Sequence, residues 1–309
     1  MEIIIDIVIV IATIFLIAKG ASWLVDSSVR IARKFNISDL VIGLTVIAIG
    51  TSAPEFAVTI LAATRDLGDI SVGNIVGSNV FNLGFILGGT AIIRSLKTEP
   101  KVVYRDGGFL LAGTIMLTFF LWDLKLEFYE GLILFVSLFL YLSYLYWKKE
   151  PFEAEEVSDI DKYRRTDPFL LIFSIALVVV SSHFMVESAS SLAAYMGVSQ
   201  WVIGATIVAA GTSAPEFATA LVAAYKGHYG MSVGNLIGSD IFNVFGVLGL
   251  AAIIKDLPVD PEAMGNMYLL ISMVAIVIIF MRTGWKIGRV EGALLFLLGL
   301  GRWIFSFMQ

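Results

Sequence analysis

Two acidic residues stand where an apolar chain can least tolerate them. Glu55 and Glu216 fall near the middle of the apolar runs 40–64 and 201–225. In a bilayer such a carboxylate costs on the order of 3 kcal/mol even on the lenient insertion scale, so it needs a partner. No Lys or Arg lies mid-run in these segments or in the runs 70–93 and 231–254. A purely structural reading would need such a buried base; otherwise the carboxylates await a cation. Pro54 and Pro215 immediately precede them. A proline within a helix lacks an N–H and clashes with the carbonyl four residues back, so the carbonyls of Gly50, Thr51, Gly211 and Thr212 are expected to be freed or weakened. Thr51 and Glu55 are four apart and share a helix face, as do Thr212 and Glu216. Hard oxygens of mixed type suit calcium better than magnesium or zinc.

A second set of oxygens lies nearby. Ser71, Asn74, Ser78 and Asn82 form one stripe along a helix, and Ser232, Asn235, Ser239 and Asn243 form another. Such side chains serve an ion as neutral ligands or join helices by hydrogen bonds. The pairs Gly73 and Gly77, Gly84 and Gly88, and Gly234 and Gly238 have the small-xxx-small spacing that lets helix backbones approach closely. Two ionised carboxylates are balanced by one Ca2+ or by two Na+. Competition for one pair of charges is enough to couple the two ions.

The elements that must carry these residues are set by an internal repeat. Gly50-Thr51-Ser52-Ala53-Pro54-Glu55-Phe56 recurs at 211–217, an offset of 161, and Gly73-Asn74 through Phe81-Asn82 recurs as Gly234-Asn235 through Phe242-Asn243. About half of positions 41–90 equal their mates without a gap. A duplicated packing unit would preserve glycines and apolar positions; here the costly mid-span residues recur as well. Of the 309 residues 58% are hydrophobic and only 15% charged, and mean hydropathy is +0.88. That composition describes a helical bundle in lipid. It excludes a cytosolic enzyme, a nucleic-acid binder and, with no cysteine, any disulfide scaffold or thiolate site. No nucleophile with a base and no phosphate loop stands outside lipid.

Ten apolar runs are expected to span the membrane, at 3–18, 40–64, 70–93, 107–122, 128–147, 168–195, 201–225, 231–254, 266–282 and 290–308. The first is kept in the mature fold and is expected to continue as a tilted amphipathic helix through Lys34. The fold expected is an all-α membrane protein of ten transmembrane helices arranged as two inverted five-helix repeats, 1–147 and 168–309, joined by an acidic linker at 148–167. Because five is odd, the second half enters the membrane in the opposite sense, as in secondary transporters with a site between the halves. Placing both termini outside puts 16 of the 21 basic residues on the cytoplasmic side, as the positive-inside rule requires. The chain is thus expected to be a multi-pass membrane protein. Asp26 and Glu187 also match at offset 161, either lining an ion path or forming a solvated or paired edge. His183 and His228 have no mates and are expected at packing or surface positions.

These paired segments resemble the two α-repeats of the cation/calcium exchanger superfamily, and are most similar to prokaryotic sodium/calcium exchangers. The resemblance covers the whole chain. It implies a core formed by spans two, three, seven and eight, with spans one and six as a long, tilted, moving pair. It implies that Glu55, Glu216 and the carbonyls of Thr51 and Thr212 hold calcium. Ser52, Ser78, Ser213 and Ser239, with backbone oxygens at Ala48 and Ala209, would belong to flanking sodium sites, and Asn82 and Asn243 to the centre. Some relatives carry an acid at the position of Asn243; here the acid is Asp240, about 100 degrees around the helix from Ser239. Asp240 is therefore open between a structural hydrogen bond and a proton or cation role. The function expected is Ca2+/Na+ antiport, with a proton/calcium exchanger as the rival. Ca2+ and Na+ are then substrates, with no organic cofactor, and the partners are membrane lipid and inorganic cations, not nucleic acid or an obligatory protein.

Overall fold

The computed structural model describes residues 2–148, 163–198, 203, 207 and 209–306. The greater part of the expected linker, most of the first turns of the run 201–225 and the end of the last run lie outside them. The helices in chain order are α1 (Glu2–Phe35), α2 (Asp39–Thr51), α3 (Ala53–Thr64), α4 (Gly68–Ile93), α5 (Val102–Asp123) and α6 (Phe128–Lys148). In the second half come α7 (Asp167–Tyr195), α8 (Ala209–Thr212), α9 (Ala214–Tyr225), α10 (Tyr229–Ile254), α11 (Glu262–Arg282) and α12 (Arg289–Ser306). Seven of these are long and apolar enough to cross a membrane, and α2 with α3 makes an eighth, broken span.

The first expected span is longer than its apolar run. α1 is one helix of 34 residues, and its mate α7 has 29. At 1.5 Å per residue α1 is about 51 Å long, well beyond a hydrocarbon core of about 30 Å, so it must tilt. The two helices pack along each other and are tied at both ends. Arg30 donates to Asp167 at 2.8 and 2.9 Å, and Ser191 donates to Asp6 at 2.7 Å. Residues 6 and 167 are mates, as are 30 and 191.

The same reciprocity joins the connections. Leu96 and Lys97 (β1) pair antiparallel with Lys286 and Ile287 (β4), and Lys125 and Leu126 (β2) with Leu257 and Pro258 (β3). Adding 161 to 96 and to 126 turns one ladder into the other. Left-handed backbone recurs at mates too: Asn36 with Gly197, Asp66 with Gly227, Leu124 with Trp285. Gly197 and Gly227 thus occupy positions where the first half uses Asn and Asp, the side chains that best tolerate that conformation.

Several of the glycines with small-xxx-small spacing lie against neighbouring backbone. A Cβ at Gly238 would sit 2.6 Å from Leu44 Cα, one at Gly234 2.7 Å from the Leu40 carbonyl, and one at Gly88 2.7 Å from the Gly292 carbonyl. A Cβ at Gly84 would sit 2.9 Å from Gly299 Cα. Gly73 and Gly77, by contrast, meet nothing within 4 Å among the described residues. The matching face of α10 is packed against α2 at Leu40 and Leu44, whose mates, 201 and 205, lie outside the described residues.

Candidate ion-binding site

Each proline starts a helix instead of merely kinking one. α2 ends at Thr51, the chain turns at Ser52 (φ −78, ψ 13), and α3 begins with Pro54 in its first turn, at 51° to α2. A proline loses nothing at that position, because its missing N–H would have no intrahelical partner. Ser213 (φ −89, ψ 10) and Pro215 repeat the arrangement at α9. The break places Glu55 and Glu216 in the first turns of α3 and α9, at the positive ends of the helix dipoles.

The two halves then hold each other's carboxylates. Ser52 donates to Glu216 Oε1 at 3.0 Å, and Ser213 donates to Glu55 Oε1 at 3.0 Å. The Thr51 hydroxyl lies 3.3 Å from Asn235 Oδ1 and 3.4 Å from the Ala48 carbonyl, an oxygen that accepts from Ser52 N–H at 3.1 Å as well. Ala209, the mate of Ala48, opens α8.

The polar stripes divide their work along the helix. One end is interhelical glue. Ser71 donates to the Thr59 carbonyl at 3.1 Å and Ser232 to the Ala220 carbonyl at 2.8 Å. Asn74 donates to the Glu55 carbonyl at 3.2 Å and Asn235 to the Glu216 carbonyl at 3.3 Å. These bonds fix α3 against α4 and α9 against α10. The other end lies between α4 and α10, where both helices carry π-helical turns, Asn82–Ile86 and Phe242–Leu248. There Asn82 donates to Asp240 Oδ1 at 2.9 Å, Asn79 to the Asp240 carbonyl at 3.2 Å, and Asn243 to Asn79 Oδ1 at 3.0 Å. Ser78 and Ser239 are buried on the same helices. Asp240 thus faces the neighbouring helix and still belongs to the central set. Asn79, its mate, carries no expected role and is held in the same network; the signal for it was its match to the one motif position where Asn and Asp differ.

What remains unpaired defines the chemistry. Glu55 Oε2, Glu216 Oε2, Asp240 Oδ2, Asn82 Oδ1, Asn243 Oδ1 and the Ser239 hydroxyl are buried with no hydrogen-bond partner. All six residues are at most 1% exposed. Among the described residues, none of the three acids pairs with a Lys, Arg or His. Buried acceptors are nearly always paired, and buried anions cannot be left uncompensated. Five of the six are carboxylate or amide oxygens, which accept and do not donate. Such a set fits a hard cation such as Ca2+ or Na+. Among the described residues no three His, Cys, Asp or Glu side chains are grouped as a metal cluster. The donors are therefore mixed carboxylate, amide and hydroxyl.

A cavity of about 710 Å³ borders Pro54, the residue before Glu55, and Thr212. It lies between α3 and α7 and is lined by Pro54, Ala57, His183, Glu187 and Thr212, among others. Glu187 and His183 are exposed in it, whereas Asp26, the mate of Glu187, is paired with Lys226 at 2.6 Å. His228 is buried and bonded to Asp39 at 2.6 Å.

The profile of the family described as sodium/calcium exchanger protein matches residues 5–147 and 167–307. Sodium/calcium exchanger MaX1 of Methanosarcina acetivorans is 31% identical over 330 residues, covering 93% of this chain and 94% of its own. Inner membrane protein YrbG of Escherichia coli is 32% identical over 294 residues, covering 91% of this chain and 90% of its own. Among solved structures, the sodium-calcium exchanger NCX_Mj soaked with Na+ and Sr2+ superposes with a TM-score of 0.85 at 31% identity, covering 99% of both chains.

Proposed function

The chain belongs to the sodium/calcium exchanger protein family, a family of membrane transporters, and from that premise we propose that it exchanges Ca2+ for Na+ by alternating access at the Glu55–Glu216 site. The observation that carries this reading is the set of buried acceptor oxygens, two of them on carboxylates presented reciprocally by the halves, with no built-in counter-charge. Glu55, Glu216 and the oxygens of Thr51 and Thr212 hold Ca2+. Ser52, Ser78, Ser213 and Ser239, with the carbonyls of Ala48 and Ala209, serve Na+ on either side, and Asn82, Asn243 and Asp240 complete the centre. One Ca2+ or two Na+ neutralises the glutamate pair, so each ion displaces the other. The loaded site permits one bundle to shift against the other, while the empty, doubly charged site resists occlusion because its desolvation is unfavourable.

We read residues 1–147 and 168–309 as two five-span repeats in opposite senses, joined by a cytoplasmic linker at 148–167, with both termini outside an inner membrane. Support comes from the two ladders. Each joins connections that this topology places on one face: 96–97 with 286–287 inside, and 125–126 with 257–258 outside. The ion pair of Asp66 with Lys255 at 2.8 Å joins two outer connections in the same way.

Proton coupling is the second reading, favoured by Asp240, a third buried acid beyond the two that Ca2+ balances. The deciding experiment is 45Ca uptake into sodium-loaded proteoliposomes, with and without a proton gradient. Uptake that needs internal sodium and ignores the proton gradient supports the proposal. Uptake driven by protons alone supports the rival. Calcium moving down its own gradient with neither ion on the far side refutes the coupling.

A further inference from the structure

The four charged residues at 26, 65, 187 and 226 form two mate pairs. Asp26 matches Glu187, and Arg65 matches Lys226. In the structure only one of the two ion pairs that these residues can build is made. Lys226, at the end of α9, donates to Asp26 at 2.6 Å, to Ser22 Oγ at 2.8 Å and to the Ser22 carbonyl at 3.2 Å, fastening α9 to the inner half of α1. Its mate Arg65, at the end of α3, is exposed, as is Glu187 on α7, and the two are not paired. His183, the mate of Ser22, is also exposed.

The packing between these helices differs in the same sense. Ala218 and Val222 of α9 pack against Ile17, Ala21 and Val178, so α1 lies along α9. On the other half the corresponding space between α3 and α7 is the cavity of about 710 Å³, in which Ala57, the mate of Ala218, is exposed. Thr219 is fully buried, while its mate Val58 is 39% exposed. α1 and α7 are tied to each other at both ends by Arg30 with Asp167 and by Ser191 with Asp6. They are therefore built to move as one body, and a shift that carries α7 onto α3 must carry α1 off α9.

We propose that Asp26–Lys226 and Glu187–Arg65 are alternative latches, each closing one face of the carrier and each formed only when the other is broken. The proposal rests on the alternating-access reading above but not on the identity of the ions. With the first latch made, the inner face is shut and the Glu55–Glu216 site is reached through the cavity beside Glu187. With the second made, α7 covers Ala57 as α1 now covers Ala218. Two half-exposed or exposed ion pairs are each weak, so they bias the equilibrium without trapping either state.

The chain has no cysteine, so single thiols report accessibility without background. Ala57→Cys and Ala218→Cys, each in the full-length protein in open membranes without added cations, are labelled by a water-soluble maleimide. Lys226→Gln is expected to slow labelling at position 57 and speed it at 218 by about two- to fivefold, the range a pair of this exposure supports. Glu187→Gln and Arg65→Gln are expected to do the opposite. Lys226→Gln combined with Glu187→Gln returns both rates toward the parent, and the swap Asp26→Lys with Lys226→Asp restores the pair if Lys226→Gln alone fails to fold. Rates that move in the same direction in Lys226→Gln and Glu187→Gln, or that move in neither, overturn the latches. If the rates respond reciprocally while no Ca2+/Na+ exchange is found in proteoliposomes, the ion assignment fails and the latches stand.

Discussion

Replacing Glu216 with Gln keeps the side chain's volume and leaves an oxygen to accept from Ser52, now 3.0 Å from Oε1. What it removes is one of the two charges that balance a bound Ca2+. The group is 1% exposed and, among the described residues, has no cationic partner, so water cannot replace the lost charge. Removing one partner of a buried charge pair costs about 3–5 kcal/mol, and each 1.4 kcal/mol is tenfold in affinity. Ca2+ affinity should therefore fall by at least about a hundredfold. Glu55→Gln should cost the same, because Ser213 holds Glu55 at the same 3.0 Å. In the absence of any cation the sign reverses. Two buried carboxylates with no counter-charge destabilise the empty protein, so either substitution should raise its thermal midpoint. Calcium titration of purified protein and melting curves with and without Ca2+ measure both effects. Calcium affinity within about threefold of the parent, or an empty variant that melts lower than the empty parent, would refute the reasoning.

Asp240→Asn retains an acceptor for Asn82 and deletes the third acid, so the dependence of Ca2+ uptake on pH should flatten while uptake itself survives; a pH scan of 45Ca uptake checks it. Gly238→Ala sets a Cβ 2.6 Å from backbone of α2 and should destabilise by about 1–3 kcal/mol, the usual cost of overpacking. Asp167→Ala strands Arg30, whose side chain is only 9% exposed, and should cost about 3–5 kcal/mol; the melting temperature in detergent checks both.

The sequence made the apolar helices and the buried glutamates legible because both are signals of a single position or a single helix. An acid in an apolar run is visible without knowing its neighbours, and so is a proline before it. The break at Ser52 was only half visible: Pro54 marks the place, but whether a proline kinks a helix or starts a new one depends on the turn before it. Asn79 lies one residue off the stripe of 74, 78 and 82, so helical spacing passed over it, and only its partner Asp240 on another helix shows what it does. Gly234 and Gly238 are backed by Leu40 and Leu44 of α2, contacts that their spacing allows but does not name. Spacing states what a glycine permits, while the opposing helix decides whether the permission is used. The ties between Arg30 and Asp167 and between Asp6 and Ser191 join residues far apart in sequence, beyond the reach of any local period.

The offset of 161 acts on two levels that need not obey it equally. At the site the contacts are reciprocal to within the spread of hydrogen-bond lengths: Ser52 and Ser213 hold the glutamate of the opposite half at one distance, and Asn74 and Asn235 each hold the glutamate backbone carbonyl of their own half, at 3.2 and 3.3 Å. Around the site the same offset is broken, with Asp26 paired and Glu187 not, Ala218 covered and Ala57 open. A site shared equally by two halves can face either side without rebuilding its ligands, so the shift between faces need involve only the helices that pack around it. On the proposed mechanism the residues around the ions are kept alike, Asn79 and Asp240 excepted, and the mates diverge at the proposed latches, Asp for Glu and Lys for Arg, where only the sign of the charge is needed. It also assigns ion affinity and access to different side chains, so substitutions in α1 and α7 can change which face is open while the oxygens around Glu55 and Glu216 stay as they are.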